Sequence, residues 1–419
     1  MRRVVVTGLG FITSIGNSKA AVVSSLKEVR TGIEFFEELN KPNIPVRLAG
    51  TVKGFTFTTP RPDEWEVPEG YKITRDQLRS MGPNCVYAFC AMQQAIEDAQ
   101  LTPEMVSNPR TGAMCASAGS TWLTYEFLTQ MLKKGIYRCY PLGMVASIPG
   151  SLNINIGASF QIKGSMMGIA TACTSSAHAF GAAVDQIALN RQDRMFVVGA
   201  EDCNMFSILP FAGMRALTQA TDPHISPCAF DKKRDGFAIT GGSTVLVLEE
   251  LESAVARGVP IYGEVLGWGE SADGYSVMAP DPEGEGVVRA MNNALAAAGV
   301  QKDDIDYINA HATSTIAGDA AEISAIKKVF AGGKVPYVSS TKSLTGHGLS
   351  LAGAMETAFC CLALKEGFMP VSANITELDP ACEGVPVITK AIDAIPKIAI
   401  NNGSAFGGTN VAIVLKKWD

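Results

Sequence analysis

The chain has 419 residues, 47% hydrophobic and 18% charged, which is enough for a large core and implies two domains or one duplicated domain. A formal net charge of -6, with no basic tract interleaved with aromatics, argues against a nucleic-acid surface. Ten cysteines scattered without a CxxC pair point to a reduced compartment rather than to a disulfide framework.

The opening Val4-Val5-Val6-Thr7-Gly8-Leu9-Gly10 is too short for a signal core and predicts a first strand and a tight turn, hence a cytoplasmic protein. No run of about eighteen apolar residues predicts a membrane span. Ser18 to Arg30 has helical periodicity. Residues 40 to 70, rich in proline and charge, predict an irregular surface excursion. An amphipathic helix is expected over Ser80 to Gln100 and a buried strand over Thr111 to Ser117. Trp122, Tyr125, Phe127, Met131 and Met144 then interrupt the alternation, as a pocket wall, a subunit interface or ordinary core. An alanine-rich helix from Ser175 to Leu189 and strands over Arg194 to Ala200 and Thr244 to Glu249 follow.

The second half repeats the order, with strand Ile261 to Trp268, helix Gly284 to Ala298, strand Asp304 to Ala310, helix Ala317 to Phe330, strand Val335 to Ser340 and helix Leu349 to Leu364. Final strands flank Asn401 to Asn410. Two consecutive βαβ-type units imply an internal duplication, with active groups collected where the halves meet.

Cys173 falls where the Ser175 helix begins. Free amides and the positive dipole end there favour an anion, and a thiolate is the nucleophilic form of cysteine. A buried inert cysteine is the competing reading. Of four histidines, His311 follows a strand, where α/β folds place functional groups, and His347 lies in Thr341-Lys342-Ser343-Leu344-Thr345-Gly346-His347. Neither has a second ligand at metal-site spacing, so metal is disfavoured. Glu356 sits inside an apolar helix and needs a partner, for which Lys342 is the candidate. Asn402 to Asn410 is glycine-rich around Phe406, either a gate over a pocket or a packed ring.

These pieces resemble the β-ketoacyl-[acyl-carrier-protein] synthases, the elongating condensing enzymes of the thiolase-like superfamily. The resemblance spans nearly the whole chain. It rests on the Val4–Gly10 start, Thr171-Ala172-Cys173-Thr174-Ser175-Ser176, Phe230-Asp231-Lys232-Lys233-Arg234-Asp235-Gly236-Phe237, His311-Ala312-Thr313-Ser314-Thr315, Thr341 to His347 and Phe406-Gly407-Gly408-Thr409-Asn410. It implies an α/β, thiolase-like fold, with duplicated βαβαβαββ halves forming a five-layered αβαβα core, divided into residues 1–255 and 256–419.

By that resemblance Cys173 carries the acyl chain as a thioester, and His311 and His347 assist decarboxylation of malonyl carrier protein and bind the enolate oxygen. The product is a fatty-acyl or polyene-type chain two carbons longer. Lys342 orders the site with Glu356 as its anchor, the amides of Cys173 and Phe406 form an oxyanion hole, and Thr313 and Thr315 hold the phosphopantetheine arm. Gly119 lies where one subgroup narrows the acyl pocket, which with Ile239-Thr240-Gly241-Gly242 places the chain nearer the type I synthases. No cofactor is implied. The implied partners are an acyl carrier protein, docked at Arg79 and Arg215, and a second subunit, identical or homologous.

Three positions depart from the family pattern. Ala312 stands for glycine, and Ser404-Ala405 stand for Phe-Gly, which is expected to stiffen the gate and enlarge the space behind it. A specialised acyl or polyene pathway is the expected consequence. The rival readings are a catalytically silent partner subunit and a thiolase-like transferase forming esters or amides.

Overall fold

The computed structural model describes all 419 residues. The first half runs β1 (Val4–Ile12), α1 (Pro83–Asp98), β2 (Thr111–Ala116), β3 (Met166–Gly168), α2 (Ser175–Ala188), β4 (Arg194–Glu201) and β5 (Gly242–Glu250). The second runs β6 (Gly263–Ala272), α3 (Glu285–Ala298), β7 (Tyr307–Asn309), α4 (Ile316–Val329), β8 (Tyr337–Ser339), α5 (Ala352–Glu366), β9 (Ile398–Ser404) and β10 (Thr409–Lys416).

All ten strands join in the order β8-β7-β9-β10-β6-β1-β5-β4-β2-β3. Counted outward from the β1–β6 seam, the two halves have the same order and the same directions. β2 is parallel to β3 and β4, and β7 is parallel to β8 and β9. In each half the last strand runs antiparallel to both of its neighbours. The expected duplication is therefore present in topology. At the seam only Val4–Val6 of β1 pair with Gly263–Val265 of β6.

Helix α1 covers β1 and β5 on one outside, α3 covers β6 and β10 on the other with α4 beside it, and α2 and α5 pack together between the halves. This is the αβαβα layering. A helix enclosed on every side has no polar face to keep, which is why α2 and α5 are rich in alanine and α5 is buried from Ala352 through Leu364. Their backbones meet closely: a Cβ on Gly353 would lie 2.4 Å from the Ala177 nitrogen. The Ala354 amide donates to Ser176 Oγ across the crossing, at 2.8 Å. The position of Cys173, at the entry to α2, is thereby referred to both halves.

Two expectations change. Helix α1 is not half-exposed: Pro83 through Met92 are all buried. The helix over Ser151–Ser159 packs on it with Phe160, whose ring centroid lies 4.9 Å from that of Phe89, and the excursion over residues 40 to 70 adds to the cover. Phe55 and Phe57 pack edge-on against Tyr87 with ring centroids 5.0 and 5.4 Å apart. Leu48–Gly50 also pairs with Ile33–Phe35 and Ile239–Thr240 in a second, three-stranded sheet. In the 120–160 interruption, a helix over Thr121–Lys134 buries Leu123 and Phe127 but leaves Tyr125, Leu128 and Leu132 exposed. Met144 is exposed too. The halves are joined through a helix, Leu251–Arg257, that ends at Gly258 with φ of 65°; the expected division at 255/256 falls inside it. No helix is long and apolar enough to cross a membrane.

Candidate active site

Cys173 sits on a turn that its neighbours' hydroxyls fold tightly. Thr174 Oγ1 donates to the Thr171 carbonyl at 2.8 Å, Ser175 Oγ donates to the Ala172 carbonyl at 2.6 Å, and the Thr171 amide donates to Ser175 Oγ at 2.8 Å. The turn forces Ala172 to φ of 51°, a left-handed conformation that costs a residue with a Cβ about 1 kcal/mol. Thr174 then stands at the start of α2, its hydroxyl turned back into the turn rather than onto the helix amides.

One cavity of about 390 Å³ is lined by Cys173, His311, His347, Phe406, Thr313 and Thr315, with Arg215 at its rim. The two imidazoles meet edge to face with centroids 5.3 Å apart, and His347 stands edge to face against Phe237 at 5.1 Å. Each histidine arrives by a different route. His311 follows β7, the parallel strand of the second half, while His347 is tied into the first half through its amide, which donates to the Ala238 carbonyl at 2.7 Å. Thr313 and Thr315 touch through their hydroxyls at 3.1 Å. Residues far apart in the chain thus converge at the meeting of the halves.

Lys342 and Glu356 do not line the cavity. Both are 1% exposed, and Nζ lies 2.5 Å from Glu356 Oε1. The expected pairing is present as a buried ion pair behind the site. Burial holds both imidazoles well below their ordinary pKa, and the Lys342 charge adds to it. His311 and His347 are therefore neutral at physiological pH. Burial pushes the Glu356 carboxyl up to about 7 against the pull of Lys342.

Below about pH 6.5 an unfolded histidine takes up a proton that the buried one refuses, so stability is lost as the pH falls from that value toward the depressed folded-state pKa and is level above it. Thermal melting between pH 8 and 5 should fall more steeply on the acid side for the natural protein than for His347→Asn, which has one refused proton fewer.

The thiol behaves differently from the expectation drawn from its helix end. Burial pushes Cys173 up to about 12, while the Lys342 charge and the facing Phe406 amide pull it down by less. Cys173 is only 7% exposed, and desolvation of the anion outweighs the groups that favour it. The resting nucleophile is a thiol, and a neutral imidazole in the same cavity is the base at hand.

Glu322 was not foreseen. It is 3% exposed on α4, and its carboxylate accepts the amides of His311 and Ala312 at 2.8 and 2.7 Å and the side-chain amide of Asn402 at 2.5 Å. It fixes the turn that aims His311. The signal was the one that exposed Glu356, a carboxylate inside an apolar helix face, here between Ala321 and Ile323.

At the gate, Phe406 precedes Gly407 and Gly408, whose φ values of 83° and 75° make the sharp return into β10. Ser404 and Ala405 line the cavity, and Ser404 Oγ is buried with no partner. Behind them a further cavity of about 40 Å³ reaches Asp273, Asp281 and His311. Ala312 is 2% exposed.

Gly119 lies outside the Cys173 cavity. It has φ of 79°, and a Cβ there would sit 2.5 Å from the Ser147 carbonyl, so the backbone alone already demands glycine. Its neighbours Ser117 and Pro149 line a separate cavity of about 290 Å³ that reaches Ile169 and Ala170, just before the nucleophile turn. Arg79 is exposed and lies away from the rim; its guanidinium is 4.0 Å from Asp76, and its carbonyl accepts the Tyr140 hydroxyl at 2.6 Å.

A duplicated α/β fold with a cysteine and two neutral histidines in one cavity at the junction of its halves defines a thiolase-like acyltransferase. This chain belongs to the β-ketoacyl synthase family, whose N-terminal domain model matches residues 1–254 and whose C-terminal domain model matches residues 262–376. It is 38% identical to 3-oxoacyl-[acyl-carrier-protein] synthase 1 of Haemophilus influenzae, with the whole of both chains covered. Among solved structures it is similar to a β-ketoacyl synthase from Burkholderia phymatum, with 31% identity over the whole of both chains and a TM-score of 0.91. It is also similar to a type II polyketide ketosynthase solved in complex with its acyl-carrier protein, with 26% identity, full coverage of both and a TM-score of 0.88.

Proposed function

We propose that the protein elongates an acyl chain held on a carrier protein by decarboxylative Claisen condensation. The observation that carries this reading is the single cavity holding Cys173, His311 and His347 behind Phe406. In the first half-reaction the Cys173 thiol gives its proton to a neutral imidazole, the sulfur attacks the acyl thioester, and the pantetheine thiol leaves with a proton. The amides of Cys173 and Phe406 receive the tetrahedral oxygen. In the second, malonyl carrier protein loses carbon dioxide, and the enolate oxygen is held by N–H groups of His311 and His347. The enolate carbon then bonds to the acyl carbon as the Cys173 sulfur departs. Neutral imidazoles suit this task because they stabilise the enolate without protonating its carbon.

Lys342 adds to the burial that keeps the imidazoles neutral, and Thr313 and Thr315 hold the pantetheine arm along the cavity wall. The acyl chain extends past Gly119 toward the cavity beside Pro149. The unpaired outer edge of β3 and the exposed Tyr125, Leu128, Leu132 and Met144 support assembly with a second subunit, identical or homologous.

The test is the intact mass of the protein after incubation with a panel of acyl carrier proteins, which should rise by one acyl group located on Cys173. Ser404 and Ala405 make a specialised acyl or polyene substrate the favoured one, and equal loading of saturated chains of every length would remove that part of the reading.

An acidic carrier needs local positive charge on an acidic synthase. Arg215 at the rim and Arg79 on the open surface are proposed to supply it. Reversing both to glutamate should raise KM for carrier-bound substrate by about tenfold, the factor expected from roughly 1.4 kcal/mol of lost pairing, with turnover of small thioester mimics unchanged.

A further inference from the structure

His178 lies on the first turn of α2, and no step above uses it. Its side chain is 13% exposed, and Nε2 lies 3.3 Å from Glu270 Oε2 on β6. Nδ1 is 2.9 Å from Thr171 Oγ1 and 3.2 Å from the Thr174 carbonyl. A carboxylate facing Nε2 calls for the proton there, so Nδ1 is left as the acceptor and the Thr171 hydroxyl donates to it. The order of the remaining hydroxyls follows. Thr174 Oγ1 donates into both the Thr171 carbonyl and the Thr171 hydroxyl oxygen, at 2.8 and 3.2 Å, and its free lone pair takes the proton of Thr409 Oγ1, 2.9 Å away.

The chain Glu270, His178, Thr171, Thr174, Thr409 links three segments that carry different parts of the site. Glu270 belongs to β6 beside the seam. Thr171 and Thr174 flank Ala172 and Cys173 on the strained turn. Thr409 opens β10 immediately after the Phe406-Gly407-Gly408 return, and the hairpin is closed there by the Ala405 amide donating to the Thr409 carbonyl at 2.9 Å. The two amides assigned to the oxyanion hole sit on opposite sides of the Thr174–Thr409 contact, one on each segment.

We propose that His178 is a positioning residue for acyl transfer: by accepting the Thr171 hydroxyl it orders the threonine chain that sets the Cys173 segment against the Phe406 segment. This rests on the oxyanion-hole reading above. Without Glu270 the opposite tautomer is free to donate from Nδ1 to the Thr174 carbonyl, 3.2 Å away, and the Thr171 hydroxyl loses its acceptor.

Three variants separate the atoms. His178→Asn keeps an acceptor near the place of Nδ1, His178→Gln reaches toward Glu270 but offers nothing to Thr171, and His178→Ala removes both. Single-turnover transfer from an acyl carrier protein to the full chain, read by intact mass, should slow about tenfold for His178→Gln and His178→Ala and stay within about twofold for His178→Asn, as expected for one lost or retained hydrogen bond. KM for the acyl carrier should not move. Alkylation of Cys173 by iodoacetamide, which needs the sulfur but no oxyanion hole, should be equal in all three. If His178→Asn is as slow as His178→Gln, or if alkylation slows in step with acyl transfer, the positioning role is wrong. Should His178→Ala fail to fold, the Gln and Asn pair decides alone. A natural protein that takes up no acyl group on Cys173 overturns the site reading itself, a result distinct from loading that is normal in every variant.

Discussion

Cys173→Ser is expected to lower chain extension by a factor of at least about 10⁴, the scale on which loss of a nucleophile acts in covalent catalysis, while leaving the fold intact. The exchange replaces one small side chain by another in a site 7% exposed, so packing changes little. The chemistry changes much more. Burial already pushes the thiol up to about 12, and a neutral imidazole must take its proton before the sulfur can attack. A hydroxyl in the same place is a far weaker acid and a poorer leaving group when the enolate arrives, so both half-reactions slow. Malonyl carrier protein should still lose carbon dioxide in this variant, because His311 and His347 remain. Mass spectrometry of the carrier-bound products separates the two results, and full condensation by Cys173→Ser would eliminate the covalent step.

Lys342→Met is expected to destabilise the protein by about 3 kcal/mol at pH 8 and by less at pH 6. Removing one partner of a buried ion pair leaves the other charge without compensation, a loss of roughly 3–5 kcal/mol in comparable cases. Glu356 softens it. Its carboxyl, already up at about 7 through burial, rises further when Lys342 goes, and a raised carboxyl contributes stability at low pH that is lost as the pH climbs from the unfolded value through the folded one. The pH dependence of melting should therefore steepen with rising pH in the single variant and flatten in Lys342→Met with Glu356→Gln. Condensation should not recover with stability. The Lys342 charge helps keep both imidazoles neutral, and its loss should cost about 100-fold in turnover, the lower range for acid–base groups. Recovery of rate in the double variant would leave Lys342 with a purely structural role.

Much of the architecture was legible because duplication leaves a local trace. Buried strands such as Arg194–Glu201 and helices such as Glu285–Ala298 announce themselves by apolar runs and by 3.6-residue spacing, and their repeated order pointed to two like halves. Glu356 was conspicuous as a carboxylate in an apolar helix. What escaped were properties owned by more than one segment. The burial of α1 depends on Phe160, at the end of a later helix, and on Phe55 and Phe57, which lie in a stretch with no periodicity of its own. Glu322 acts on amides of β7's exit turn, and neither sequence neighbourhood names the other.

The identity of the reactive atoms was determined by sequence alone, since a sulfur, two imidazoles and an ammonium–carboxylate pair are set by residue type. Their electrical state was decided only by tertiary structure. A helix end by itself favours a thiolate, yet the folded cavity withdraws enough water to keep Cys173 protonated and both histidines neutral. The free energy of a charge depends on everything within several ångströms of it, and those surroundings come from strands and helices that are distant along the chain.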